Sequence, residues 1–410
     1  CSSDLGITGN VDTLINYPYN NAQGYKLFAF ANDKIYDASS STASVVFSGL
    51  SNAKWQYVNI STSGGDFVIA VNGVDPALCY NGTHWFFLAT TSTAQTISTI
   101  THVGAVATLT TAAPHGLVTG NLVTISGATP SAYNGSFVIT VTGASTFTYT
   151  MASTPASNAT VVGSYTVLGI TGVNSNTFSN VNLFKNRLYF CVNNSLTFWY
   201  LDVSSIAGAA TSFPLGAIYR NGGYLQAMGT WTLDAGYGVD DFAVFVSSMG
   251  EIVVYQGFNP SDTNNWAMKG LWQMGQTFSR RCFFKWGGDL LLLTQDGLVP
   301  LTSALQSDRL DPRINLTDKI YYAVSIAATN YANNFGWQIN YYASENMLIL
   351  NIPTNDGMEQ YVMHTITKSW ARFTGIEAYC FTVSGDQDMR SEEHTSELQS
   401  RLHLVCRLLL

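Results

Sequence analysis

Charge is what this 410-residue chain has least of: 11% of its residues are Asp, Glu, Lys or Arg, against 46% hydrophobic. Its 18 Lys and Arg face 26 Asp and Glu, a formal net charge of −8. A surface so poor in clustered cations argues against gripping nucleic acid, whose binding tracks phosphates with Lys and Arg. No run of about 18 consecutive apolar residues occurs, which excludes a hydrophobic spanning helix, and no charged-then-apolar start resembles a signal peptide. CxxC and Cys/His metal spacings are missing, as are HxH, HExxH and a G-x-S-x-G elbow. The pairs Gly64-Gly65, Gly222-Gly223 and Gly287-Gly288 lack a following Lys-Ser/Thr, so no phosphate loop is expected from them.

What is present is a repeated β-hairpin, and the expected class is all-β. Asp241 to Gly257 shows the unit: Phe242, Val244 and Val246 alternate with smaller residues, Ser247 to Gly250 supplies a turn, and Ile252 to Tyr255 forms a second β-branched and aromatic run. Similar hairpins lie at Lys26 to Ser39, Asp66 to Tyr80, Asn182 to Leu201, Arg281 to Leu301 and Trp337 to Ile352. Discounting a long insert, the spacing of roughly 40–60 residues is that of four-stranded propeller blades. Six degenerate copies predict a β-propeller-like array, and Trp85, just after a hairpin turn, is expected to fill the space between blades.

Two stretches break the pattern. From 96 to 166 the composition shifts to Thr, Ser, Ala, Val and Gly, and period-two alternation in VTIS, FVITV and TFTYTM predicts a small β-barrel or sandwich inserted in a propeller loop. Around 317–331 one short helix is expected, capped by Asn315 or Thr317, with Ile320, Val324, Ala327 or Ala328, and Tyr331 on one face. The propeller would then occupy 6–95 and 167–389.

Both ends look foreign. RSEEHTSELQS at Arg390 to Ser400 resembles the translation of a common sequencing-library adapter, and CSSDL at Cys1 to Leu5 resembles the same adapter read from the opposite strand. Residues 1–5 and 390–410 are therefore set aside as adapter-derived, and 6–389 is expected to be an open piece of a longer, metagenomic protein. Setting aside Asp4, Glu392, Glu393 and Glu397 with Arg390, Arg401 and Arg407 leaves 22 acidic and 15 basic residues, still net negative.

Candidates for chemistry are few, and no catalytic, cofactor-binding or metal residue is expected. Asp240-Asp241, preceded by Asp234, would place neighbouring carboxylates on opposite faces of a strand, so they read as solvated residues before it. His84, His102, His115 and His364 lack metal spacing; His115 reads as a turn residue of the insert and His364 as a hydrogen-bonded strand residue. Cys79, Cys191, Cys282 and Cys380 sit in apolar runs and read as buried free thiols, which suits assembly in a reducing cytoplasm. Arg280-Arg281, the adjacent basic pair, reads as a solvated turn beside a blade, with contact to a neighbouring subunit or DNA phosphates as the alternative. Tyr331, Tyr341 and Tyr342 could serve a blade core, a subunit contact or sugar stacking.

Two resemblances follow from particular residues. His115, Gly116, Gly120, Val123, Ile125, Gly127, Tyr133, Asn134, Gly135 and Phe137 carry a pattern that resembles the FCCH-like β-domain named after ubiquitin-activating enzymes, found as an insert in many phage structural proteins. It implies a decoration module without ubiquitin chemistry. The segments NGGYLQAMGTWTLDAGYGVDDFAVFVSSMGEIVVYQG, GDLLLLTQDGLVPL, GWQINYY with ENMLILNIP, and QYVMHTITKSWARF resemble a family of tail or head-completion proteins of short-tailed phages. That resemblance implies a propeller-bearing hub or nozzle in the virion tail. Such a subunit is typically one of a hexameric ring, meeting portal, adaptor and other tail proteins, with DNA passing without specific binding. The alternative is a host-surface glycan or receptor binder. A propeller hydrolase fits least, since the Ser-x-Asp-x-Gly-x-Thr-Trp boxes of sialidase-like propellers are missing.

Overall fold

A computed structural model describes residues 6–18, 25–89, 95–234, 239–304, 315–376, 378–383 and 389–391. Apart from Arg390 and Ser391, the segments read as adapter-derived lie outside them.

Six antiparallel blades form a β-propeller. Blade 1 is Val11–Pro18, Tyr25–Ala31, Lys34–Asp37 and Ser44–Ser48; blade 2 is Gln56–Thr62, Gly65–Val71, Leu78–Tyr80 and Trp85–Phe87. Blade 3 is Phe178–Phe184, Arg187–Val192, Thr197–Tyr200 and Thr211–Pro214, and blade 4 is Leu225–Asp234, Val239–Ser247, Glu251–Gly257 and Trp266–Gln273. Blade 5 has three strands, Phe283–Trp286, Asp289–Thr294 and Gly297–Pro300; blade 6 is Gln338–Tyr342, Met347–Pro353, Met358–His364 and Ser369–Phe373. The first strand of each blade is innermost, and these inner strands neighbour one another in sequence order. Between the inner strands of blades 6 and 1 lies Phe381–Val383, paired antiparallel with Met389–Ser391. Arg390 and Ser391 thus belong to this outer strand.

The middle strands read as continuous apolar runs because both of their faces are covered. In blade 4, Ala243, Phe245, Val253 and Tyr255 enter the core shared with blade 3, whereas Val244, Val246, Ile252 and Val254 enter the core shared with blades 5 and 6. Successive side chains of one strand therefore serve two different interfaces, as the period of two requires. Trp85 fills the seam between blades 1 and 2, with its ring centroid 5.1 Å from Phe28, 5.5 Å from Phe30 and 5.0 Å from Tyr80. Gly250 closes the blade 4 hairpin at φ +82°, where its backbone also meets Met274 and Gly275 too closely for any Cβ.

Blade 5 departs from the expected four strands. Its outer flank is covered by the single turn Leu301–Ala304 and by the helix Tyr321–Tyr331, which buries Val324 and Ala327 against blades 5 and 6. The helix lies where expected, but the expected cap does not form. Thr317 Oγ1 accepts the Leu298 N–H (3.1 Å) and Asn315 Nδ2 donates to Asp296 O (2.8 Å), so both side chains hold the preceding loop to blade 5.

Between blades 2 and 3, seven strands from Gln95 to Val167 form one antiparallel sheet around a core that includes Ile100, Leu109, Val123, Tyr133, Phe147 and Tyr165. The residues carrying the FCCH-like pattern have structural work here. Asn134 donates to Ala128 O and accepts from Ala128 N, both at 2.8 Å; Phe137 stacks on Tyr149; His115 Nδ1 accepts the Leu117 N–H at 2.9 Å. The insert is seated on blade 2: Phe87 N donates to Gly120 O (2.8 Å), and Asn121 Nδ2 donates to Phe87 O (3.0 Å).

Candidate functional site

The inner strands enclose an axial cavity of about 340 Å³, lined by the amides of Gln56, Asn180, Asn182, Gln338 and Asn340 and by Arg280 and Arg281. A second hollow of about 260 Å³ shares Gln56, Arg280 and Arg281 with it and opens past Asn193, Tyr224 and Phe335. The two arginines line both spaces, and Phe283 and Phe284 at the start of blade 5 line the first.

Neither arginine is a solvated turn residue, and the expectation fails for a tertiary reason. Arg280 reaches to the second-hairpin loops of blades 2 and 3, where Nη1 donates to Asn72 O (2.8 Å) and Nη2 to Asn193 Oδ1 (3.1 Å). Arg281 crosses to blades 1 and 2, where Nη2 donates to Asp12 O (3.2 Å), Thr13 Oγ1 (2.9 Å) and Trp55 O (3.0 Å). Its guanidinium lies 4.8 Å from the Phe335 ring centroid, within cation–π range. The main chain is held equally: Asn180 Nδ2 donates to Arg280 O (3.2 Å), and Ser279 Oγ donates to Trp337 O (3.2 Å). One short turn therefore bonds to blades 1, 2, 3 and the approach to blade 6.

Burial pushes both guanidinium groups below their ordinary value, which still leaves them cationic at neutral pH. Neither forms an ion pair with a carboxylate among the described residues. The acid nearest in effect is Asp12, whose carboxyl is pushed up by burial, against the opposing charges of Lys54 and Arg281. Burial likewise raises the Tyr57 hydroxyl beside them.

The remaining candidates are dispersed. Asp241 lies within a blade 4 strand, not before it, and binds Lys185 of blade 3 (Nζ to Oδ2, 2.5 Å) and Thr232 Oγ1 (2.8 Å). Burial alone would raise its carboxyl, but hydrogen bonds from Lys185 and Thr232 and the lysine charge outweigh that and leave it below the usual carboxylate value. The side chains of Asp234 and Asp240 lie outside the described residues. His364 ends a strand and its Nδ1 lies 3.3 Å from the Thr367 backbone nitrogen, as a structural histidine would; His84 is in an exposed turn and His102 faces Gly104 O at 3.1 Å. Among the described residues no three His, Cys, Asp or Glu side chains are grouped to hold a metal ion. Cys79, Cys191 and Cys282 are free and buried, Cys380 is buried with its Sγ donating to Val11 O (3.2 Å), and burial pushes the Cys191 thiol up to about 12. Tyr331 and Tyr341 pack against the blade 5–6 core, and Tyr342 against Met347, Ile349 and Val362, which favours the core reading for all three. Among the described residues, the exposed aromatic side chains are elsewhere, at Tyr321 and Tyr322 on the helix, Tyr25, Tyr224 and Phe258.

No protein-family model matches the chain, and no curated protein matches it. Solved structures that align over most of it include the dihydro-heme d1 dehydrogenase NirN (10% identity, 90% of this chain and 67% of that one, TM-score 0.41). Others are Sqt1 of Saccharomyces cerevisiae (11% identity, 92% and 88%, TM-score 0.41) and a putative 6-phosphogluconolactonase from Bacteroides uniformis (11% identity, 92% and 87%, TM-score 0.40). Likeness at that level does not extend to activity.

Proposed function

We propose that this chain is a non-enzymatic structural subunit of a phage tail, part of a hub or nozzle ring that meets portal, adaptor and other tail proteins in the virion. The observation that supports it best is an apolar rim where the chain departs from its own repeat. The helix beside the three-stranded blade 5 presents Tyr322 (78% exposed) and Ile326 (46% exposed) one turn apart, with Tyr321 beside them. The neighbouring blade 6 turn adds Ile366 (71% exposed), held close by Lys319 Nζ donating to Lys368 O (3.1 Å). Exposed apolar groups on neighbouring elements mark contact surfaces, and in a ring the occupant is the next copy of the chain. The segments that resemble the phage family fall on blades 4 to 6, which carry this rim.

On this reading DNA runs along the axis of the assembled ring, because the propeller's own axis is crossed by Arg280 and Arg281. The test is native mass spectrometry and negative-stain imaging of the protein with its flanking gene context restored, beside a Tyr322→Asp/Ile366→Asp variant. Rings that dissociate in the variant, and detection of the protein in purified virions, are expected. A monomer at high concentration that is missing from virions would sink the proposal.

A further inference from the structure

We infer that the axial cavity is a binding site for a small oxyanion, a free phosphate or carboxylate species. Three observations converge on it. Arg280 and Arg281 both line the cavity and are partly buried, yet neither has a carboxylate partner among the described residues. Two cations withdrawn from water without a counter-charge are costly, and an anion between them and the opposing strands removes that cost. Second, Arg281 spends only Nη2 on the protein, leaving the Nε and Nη1 N–H groups without a partner among the described residues, each able to donate a single charge-assisted hydrogen bond. Third, two amide donors on the walls are unmet. Gln56 and Asn340 are each 7% exposed, both line the cavity with Arg281, and neither Gln56 Nε2 nor Asn340 Nδ2 has a hydrogen-bond partner.

The orphaned groups are all donors, so they select an acceptor-only ligand. A neutral sugar would bring donors of its own, and a cation would meet two guanidinium groups. At about 340 Å³ the cavity suits a phosphate or short carboxylate with accompanying water, and it is far too small for a nucleic-acid strand.

The experiment is calorimetric titration and thermal unfolding of the full chain with sodium phosphate, and separately with sodium acetate, at ionic strength matched by sodium chloride. Gln56→Glu and Asn340→Asp are the informative variants, because each places a carboxylate on the wall facing Arg281 while leaving all three Arg281 bonds to blades 1 and 2 in place. Saturable binding of phosphate or acetate beyond the chloride control, weakened at least tenfold in both variants while their unfolding temperature in chloride holds or rises, is the expected result. Which of the two anions binds more tightly distinguishes a phosphate from a carboxylate ligand. No saturable response beyond chloride, or equal binding by the parent and both variants, would overturn the inference.

Discussion

Trp85 gives the sharpest test of how the blades are held together. Its ring is 2% exposed and has three aromatic neighbours from blades 1 and 2 at 5.0–5.5 Å. Truncation of a buried tryptophan costs about 3–5 kcal/mol in lost transfer energy and residual cavity. One feature pulls the other way: Trp85 Nε1 is buried without a hydrogen-bond partner, a burden of about 1–3 kcal/mol that any hydrocarbon replacement relieves. Trp85→Ala should therefore destabilise by about 3 kcal/mol, whereas Trp85→Phe, which keeps most edge-to-face contacts and sheds the N–H, should change stability by about 1 kcal/mol or less. Urea unfolding followed by far-UV circular dichroism measures both, provided the m-value is unchanged. Equal losses in the two variants would show that the aromatic packing does not carry the seam. A Trp85→Ala loss below about 1 kcal/mol would show that blades 1 and 2 do not depend on it.

Other outcomes follow from the same geometry. Arg281→Met strands three acceptors but releases a partly buried cation, so a net loss of about 2–4 kcal/mol is expected, read as a lower urea midpoint. Asn134→Ala removes both bonds to the Ala128 backbone and should cost about 2 kcal/mol, read as a lower unfolding temperature with blade packing retained. Asp241 has a folded pKa below its ordinary 3.8, so its pair with Lys185 contributes above that value and fades as pH falls through the lower folded one. Since the pair is partly exposed, Lys185→Met should cost at most about 1 kcal/mol at pH 7, with the stabilities of parent and variant converging in acid.

The blades were legible because their information is local. Turn residues such as Asn32, Gly250 and Asn346 adopt the positive φ that their positions require, and the paired runs on either side are only a few residues apart. The place of Trp85 was legible for the same reason. Arg280 and Arg281 were not, since their partners lie 87 to 269 residues away in blades 1, 2 and 3, a distance that turn chemistry does not encode. The failed helix cap has a related cause: Asn315 and Thr317 have cap-forming side chains, but backbone groups of blade 5 compete for them and win. The orphaned donors of Gln56 and Asn340 left no trace in the sequence, because an amide in an inner strand looks the same whether or not its neighbour satisfies it.

The seating of the insert has a mechanical consequence. A module on a slack tether would absorb a pull by straightening its linker, whereas this one is bonded through Gly120 and Asn121 to Phe87 and through Leu168 and Ile170 to Ala89. Leu122 and Val138 of the insert, and Leu168 just after it, also pack into the core shared by blades 2 and 3. The insert is therefore a lever arm with its fulcrum at the outer edge of blade 2. Torque applied at its far end would be delivered to the seams on either side of that blade, where Trp85 and Phe86 are buried.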